Sequence, residues 1–129
     1  MSVRTYRDLE VWQKAMELVT LVYQETVGFP REETYGLRNQ VRRAVVSVPS
    51  NIAEGQGRRS TREFLYHLSV ARGSLAEVDT QIEIAHRLGY LSPDKTEAIA
   101  AVATSVARLT NALISALERR LAQNQTNEE

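Results

Sequence analysis

Apolar side chains return at every third or fourth position through four stretches of this chain, and sparse glycines and prolines separate the stretches. The breaks are GFPRE (28–32), GQGRRS (55–60) and GYLSPD (89–94), built from the residue types that interrupt regular structure. No stretch shows the strict alternation of a half-buried strand. The pattern predicts an all-α protein of four helices.

The first helix is expected from about Leu9 to Val27. At roughly 100° per residue, Val11, Trp12, Ala15, Met16, Leu18, Val19, Val22, Tyr23 and Val27 occupy an arc of about 180°. A helix facing one core needs a stripe only somewhat wider than about 100°. The surplus predicts a second buried contact, most simply another copy of the chain, with Val11, Trp12, Leu18 and Val22 as interface candidates.

The second helix is expected to begin near Glu32 and to carry Leu37, Val41, Ala44, Val45, Val48 and Ile52 on its core side. Pro49 falls inside it. A proline there removes one backbone bond and crowds the carbonyl of Val45, at a usual cost of about 3 kcal/mol. The apolar stripe stays in phase across Pro49, so a kinked rather than a broken helix is expected. Beside that stripe runs a polar row of Gln40, Ser47, Asn51 and Glu54, bordered by Arg43. Its side chains are expected to satisfy the freed carbonyl and to form a buried or inter-subunit network.

The third helix opens with STRE (60–63), the signature of a capping box. Its stripe runs from Phe64 through Leu68, Ala71, Leu75, Val78 and Ile82 to Ala85, with Gly89 as the left-handed residue past its end. The fourth has Ser92 as N-cap and Pro93 at the first helical position. The last two helices are each about 29 residues, on the order of 43 Å long. Short connections between long helices predict an antiparallel up-down-up-down bundle over residues 1–122, followed by a polar, frayed tail at 123–129.

Composition narrows the chemistry. The 129 residues include no cysteine, which excludes disulfides, thiolate metal sites and cysteine nucleophiles. No apolar run of roughly 18 residues is evident, so a cytoplasmic protein without a membrane span is expected. The formal net charge is zero, yet its distribution is uneven. Between Arg31 and Arg72 eight arginines (31, 38, 42, 43, 58, 59, 62, 72) face four glutamates (32, 33, 54, 63), a local excess of +4. Arg38 and Arg42 share one flank of the second helix, Arg43 adjoins them, Arg58 and Arg59 precede the third helix, and Arg62 lies in its first turn. Helix N-termini and arginine forks both suit phosphate, so RNA backbone contact is one expected function. No aromatic residues interleave with the arginines, which argues against base stacking.

Other chemistries find less support. Di-iron bundles use two Glu-x-x-His motifs; EIAH (83–86) is one, and His67 has a glutamate four residues before it rather than three. GQGRRST (55–61) lacks the Gly-Lys-Ser/Thr ending of a phosphate loop. No metal, cofactor or catalytic residue is expected, and hence no enzyme. A structural or adaptor role, docking another protein through Trp12 and Tyr23, is the alternative to RNA binding. Tyr6, Tyr35 and Tyr90 are placed to close the helix ends with their hydroxyls in water.

The segments DLEVWQKAMEL (8–18), FPREETYGLRNQVRRAVVSVPSNIAEGQGR (29–58), FLYHLSVARGSLAEVDTQ (64–81) and LGYL (88–91) resemble the 23S rRNA intervening sequence proteins. Within them QVRRAVVSVPSNIAEG is the most specific stretch, and Arg42, Arg43, Pro49, Asn51, Glu54 and Gly55 are its motif positions. The resemblance implies a compact up-down bundle assembling as a ring of five. It further implies kinship with bundles that accompany reverse transcriptases and are thought to bind RNA. It supplies no catalytic residue, and fold transfers across such likeness better than function.

Overall fold

The computed structural model describes residues 5–128, with side chains to residue 126. Four long helices follow in order: α1 (Glu10–Thr26), α2 (Leu37–Gln56), α3 (Thr61–Arg87) and α4 (Pro93–Glu128). Short 3-10 turns at Tyr6–Asp8 and Arg31–Glu33 precede the first two. Among the described residues there is no strand.

All four apolar stripes close on one core. Leu18 and Val22 of α1, Val45 and Ile52 of α2, Leu68 and Val78 of α3, and Ile99 and Val106 of α4 are essentially inaccessible to solvent. Burying a side chain of this size contributes about 1.5–3 kcal/mol. The α2–α3 interface is especially close. Ser47 meets Ser74, Asn51 meets His67, and Gly55 meets Phe64, so residue numbers rise along α2 as they fall along α3. A Cβ on Gly55 would sit 2.7 Å from the His67 Cβ and 2.9 Å from the Phe64 ring. Glycine is therefore what allows the backbones to approach there.

The helix ends follow their local chemistry. Ser60 caps α3 by accepting the Glu63 amide at 3.1 Å, but the reciprocal bond expected from the Glu63 carboxylate is not formed. The full capping box lies instead at Thr5–Asp8, where the sequence reading had not placed one. Gly89, at φ 80°, ends α3, with Tyr90 N–H donating to the Ala85 carbonyl and Gly89 N–H to that of His86, the paired bonds of a Schellman turn. Ser92 caps α4 through the Lys95 amide at 3.2 Å.

Two boundaries differ from expectation. α2 starts at Leu37, not near Glu32, because the chain first makes a 3-10 turn and passes Gly36. The Glu33 carboxylate then caps α2 through the Leu37 amide at 3.0 Å. α4 continues through the polar tail to Glu128, since nothing after Pro93 is a glycine or proline. By length and composition α4 is also apolar enough to cross a membrane, a property that the sequence reading assigned to no segment. Its apolar stripe nevertheless serves the core through Ile99, Ala103, Val106, Ile114 and Leu117.

Pro49 lies inside a continuous α2 and is itself buried. Ser50 Oγ donates to the Val46 carbonyl and Asn51 Nδ2 to that of Ser47. The local polar side chains thus serve carbonyls one and two residues beyond Val45, whose bond was the one expected.

Candidate nucleic-acid interface

The six candidate arginines fall into four places. Arg42 is structural. Its Nε donates to Thr26 Oγ1 at 2.9 Å and its Nη2 to the Tyr23 carbonyl at 3.0 Å, while the guanidinium lies 4.6 Å from the Tyr23 ring centre. Thr26 is fully buried and donates in turn to the Val22 carbonyl at 2.8 Å. Arg42 therefore closes the C-terminal end of α1, where a cation is favoured by the helix dipole. Arg38 donates to Thr34 Oγ1 at 2.9 Å and steadies the turn before α2. Neither is a free phosphate ligand. Arg43 is exposed in a cleft of about 370 Å³ that it shares with Gln40, Ser47, Ser74 and Glu77.

Arg58, Arg59 and Arg62 gather around the start of α3. Two openings meet there, and Arg58 lines both. One, of about 310 Å³, has Arg58, Arg59 and Arg120 on its walls and Leu9, Phe64 and Leu117 among its apolar lining. The other, of about 430 Å³, is open and is lined by Arg58, Arg62, Glu63, Tyr66 and His67. Arg58 is engaged with the Glu54 carboxylate at 2.6 Å. Arg59, Arg62 and Arg120 have no ion pair or hydrogen bond among the described residues. Sequence reasoning missed Arg120, because only the fold brings the end of α4 to the start of α3. It also missed Tyr66, although the four-residue step from Arg62 was visible.

The polar row is a connected network across α2 and α3. Asn51 Nδ2 donates to Ser47 Oγ at 3.0 Å, and Ser47 lies 2.9 Å from Ser74 Oγ. Asn51 Oδ1 faces His67 Nδ1 at 3.1 Å. Since that oxygen only accepts, the His67 hydrogen is on Nδ1. The Glu54 carboxylate stands 4.0 Å from the same nitrogen. Gln40 is exposed and outside this chain of bonds. With every half-buried member partnered, the network fixes the register of the two helices.

The structure corrects the interface set. Val11, Leu18 and Val22 are buried in the chain's own core, because they lie on the side of α1 that faces the other helices. Only Trp12 of that group is partly open. The surplus of the arc includes Tyr23 and Val27, which are exposed, and Trp12, Met16 and Val19, which meet Tyr6, Val46, Pro49 and Ala53 in an apolar groove of about 380 Å³ between α1 and α2. Met16 and Val46 are 39% and 40% exposed, too much for purely core residues.

Glu83 and His86 have local partners. Arg87 Nε donates to Glu83 at 2.9 Å and holds its carboxyl below the ordinary range. His86 Nδ1 lies 3.2 Å from the Leu91 carbonyl. Among the described residues no three histidine or acidic side chains converge as a metal site.

Four helices closed on one core, with no strand among the described residues, place the chain in the all-α class of helical bundles. More narrowly, the chain belongs to the 23S rRNA-intervening sequence protein family, which it matches over residues 7–112. It is also similar to the crystal structure of a protein of unknown function from the S23 ribosomal protein family of Bacteroides thetaiotaomicron. That likeness has a TM-score of 0.74 at 22% identity, covering 81% of this chain and 95% of the other, and shows the fold. No functionally curated protein matches.

Proposed function

We propose that this protein is a non-enzymatic, cytoplasmic scaffold that self-associates and holds RNA by its backbone at the α3 start. The observation that carries the RNA reading is the set of guanidinium groups at Arg59, Arg62 and Arg120, unpaired among the described residues and brought to one place by the α2–α3 loop, α3 and α4. Arginine forks match phosphate oxygens two at a time. Self-association rests on the open apolar groove of Trp12, Met16, Val19 and Val46. A ring of five, which the family resemblance implies, would repeat the cationic end and strengthen a weak single site by avidity.

The test is retention of labelled RNA at low salt. Replacing Arg59, Arg62 and Arg120 together by Glu is expected to abolish retention while leaving the helical circular dichroism unchanged. Wild-type binding is expected to weaken as salt rises, as counterion release requires. A wild type without salt-dependent RNA binding removes this reading. The second reading, an adaptor docking another protein, is favoured by the same apolar groove and would then stand alone.

A further inference from the structure

We infer that Tyr66 is a stacking platform for an unpaired base, so that the RNA held at this end is single-stranded. The inference rests on the RNA reading above and names the form of RNA that the site selects. Tyr66 is 65% exposed, and its hydroxyl makes no hydrogen bond among the described residues. Its aromatic contact is with His67 at 5.3 Å, the rings nearly perpendicular at 76°. A lone exposed aromatic is ordinary; its surroundings are what distinguish this one.

Arg62 precedes Tyr66 by four residues on α3, which sets the two on one helix face. Arg58, Arg62 and Tyr66 line one open pocket together with Glu63 and His67. Arg58 also lines the cleft of Arg59 and Arg120. A single strand presents a flat apolar base beside a charged phosphate, and the site offers an aromatic ring beside guanidinium groups in the same order. Glu63 on the pocket lining and Glu54, which holds Arg58 at 2.6 Å, both disfavour phosphate beside them, so the backbone contact in this pocket falls to Arg62. A duplex keeps its bases stacked on one another, so it offers the phosphates without a base for Tyr66. An acidic peptide offers the charge without the flat ring.

The experiment compares a labelled oligouridylate of about 12 nucleotides, within the usual span of single-strand sites, with a blunt RNA duplex of similar length and with polyglutamate as competitor. Wild type is expected to prefer the single strand. Tyr66→Ala is expected to weaken the single strand by roughly 5- to 150-fold, the range for loss of one stacked base, and to leave duplex affinity unchanged. Tyr66→Phe, which keeps the ring, is expected to restore most of the loss. Unchanged single-strand binding by Tyr66→Ala, while the triple Arg→Glu protein loses it, overturns the platform and keeps the RNA reading. Displacement of RNA by polyglutamate at equal charge overturns it in favour of an acidic protein partner. Failure of wild type to bind either RNA ends both readings together.

Discussion

Single side chains here carry roles that their types alone do not reveal. Arg42 sits in the most specific stretch of the sequence and beside Arg43, so a phosphate role was the natural expectation. The fold instead turns it onto the end of α1, against the Thr26 hydroxyl, the Tyr23 carbonyl and the Tyr23 ring. Hydrogen bonds from a charged donor contribute about 1.5–3 kcal/mol each when formed at a protected site. Arg42→Ala is therefore expected to destabilise the protein by about 1–3 kcal/mol in urea unfolding and to leave RNA retention intact. Lysine at that position is expected to recover little, since it cannot fork between two acceptors. Tyr90 offers a second residue-scale test. Its hydroxyl donates to Glu33 at 3.0 Å, and that bond, then desolvation and the Glu33 charge, raise its pKa above the ordinary 10.0. A raised phenol pKa means stability that is complete below the unfolded value and lost as pH rises through the folded one. One tyrosine is thus expected to ionise late in an absorbance titration, with the lag shortened by Glu33→Ala, which removes both the acceptor and the charge.

At the scale of elements, capping and periodicity were legible and lateral packing was not. Ser60, Gly89 and Ser92 mark helix ends by their own hydroxyls or lack of a Cβ, so local sequence suffices to find them. The late start of α2 depends on Glu33 reaching the Leu37 amide, a bond that competes with direct continuation from the Arg31–Glu33 turn. The polar row of Ser47, Asn51 and Glu54 was visible as a stripe, but His67 and Ser74 join it only because α3 lies alongside. Gly55 shows the same limit: it reads as a helix breaker in GQG, yet it stands inside α2 at a tight contact with α3. Gly55→Ala would gain helix propensity and lose that approach. Overpacking of a tight contact costs about 1–3 kcal/mol, more than the gain of about 1 kcal/mol, so a net fall in melting temperature is expected.

For the whole molecule, the decisive question is which side of α1 another copy would cover. Helical periodicity defines an apolar arc on α1 but does not say which part of it faces the protomer's own core. Val11, Leu18 and Val22 took that part, leaving Trp12, Met16 and Val19 beside Val46 and Pro49. The two parts predict opposite phenotypes. Met16→Glu with Val46→Glu places charge on an exposed groove, so each folded protomer is expected to keep its helical signal while sedimentation mass falls to that of one chain. Leu18→Glu puts an unpaired charge where no solvent reaches, and the helical signal itself is expected to collapse. Dissociation also acts on the cationic end. If copies around a ring share one RNA strand, the Met16→Glu/Val46→Glu protein should lose affinity for long RNA, within the roughly 10²–10⁴-fold range of avidity. Its binding to an oligonucleotide too short to bridge two protomers should be unchanged, since Arg59, Arg62, Tyr66 and Arg120 do not line the Met16–Val46 groove.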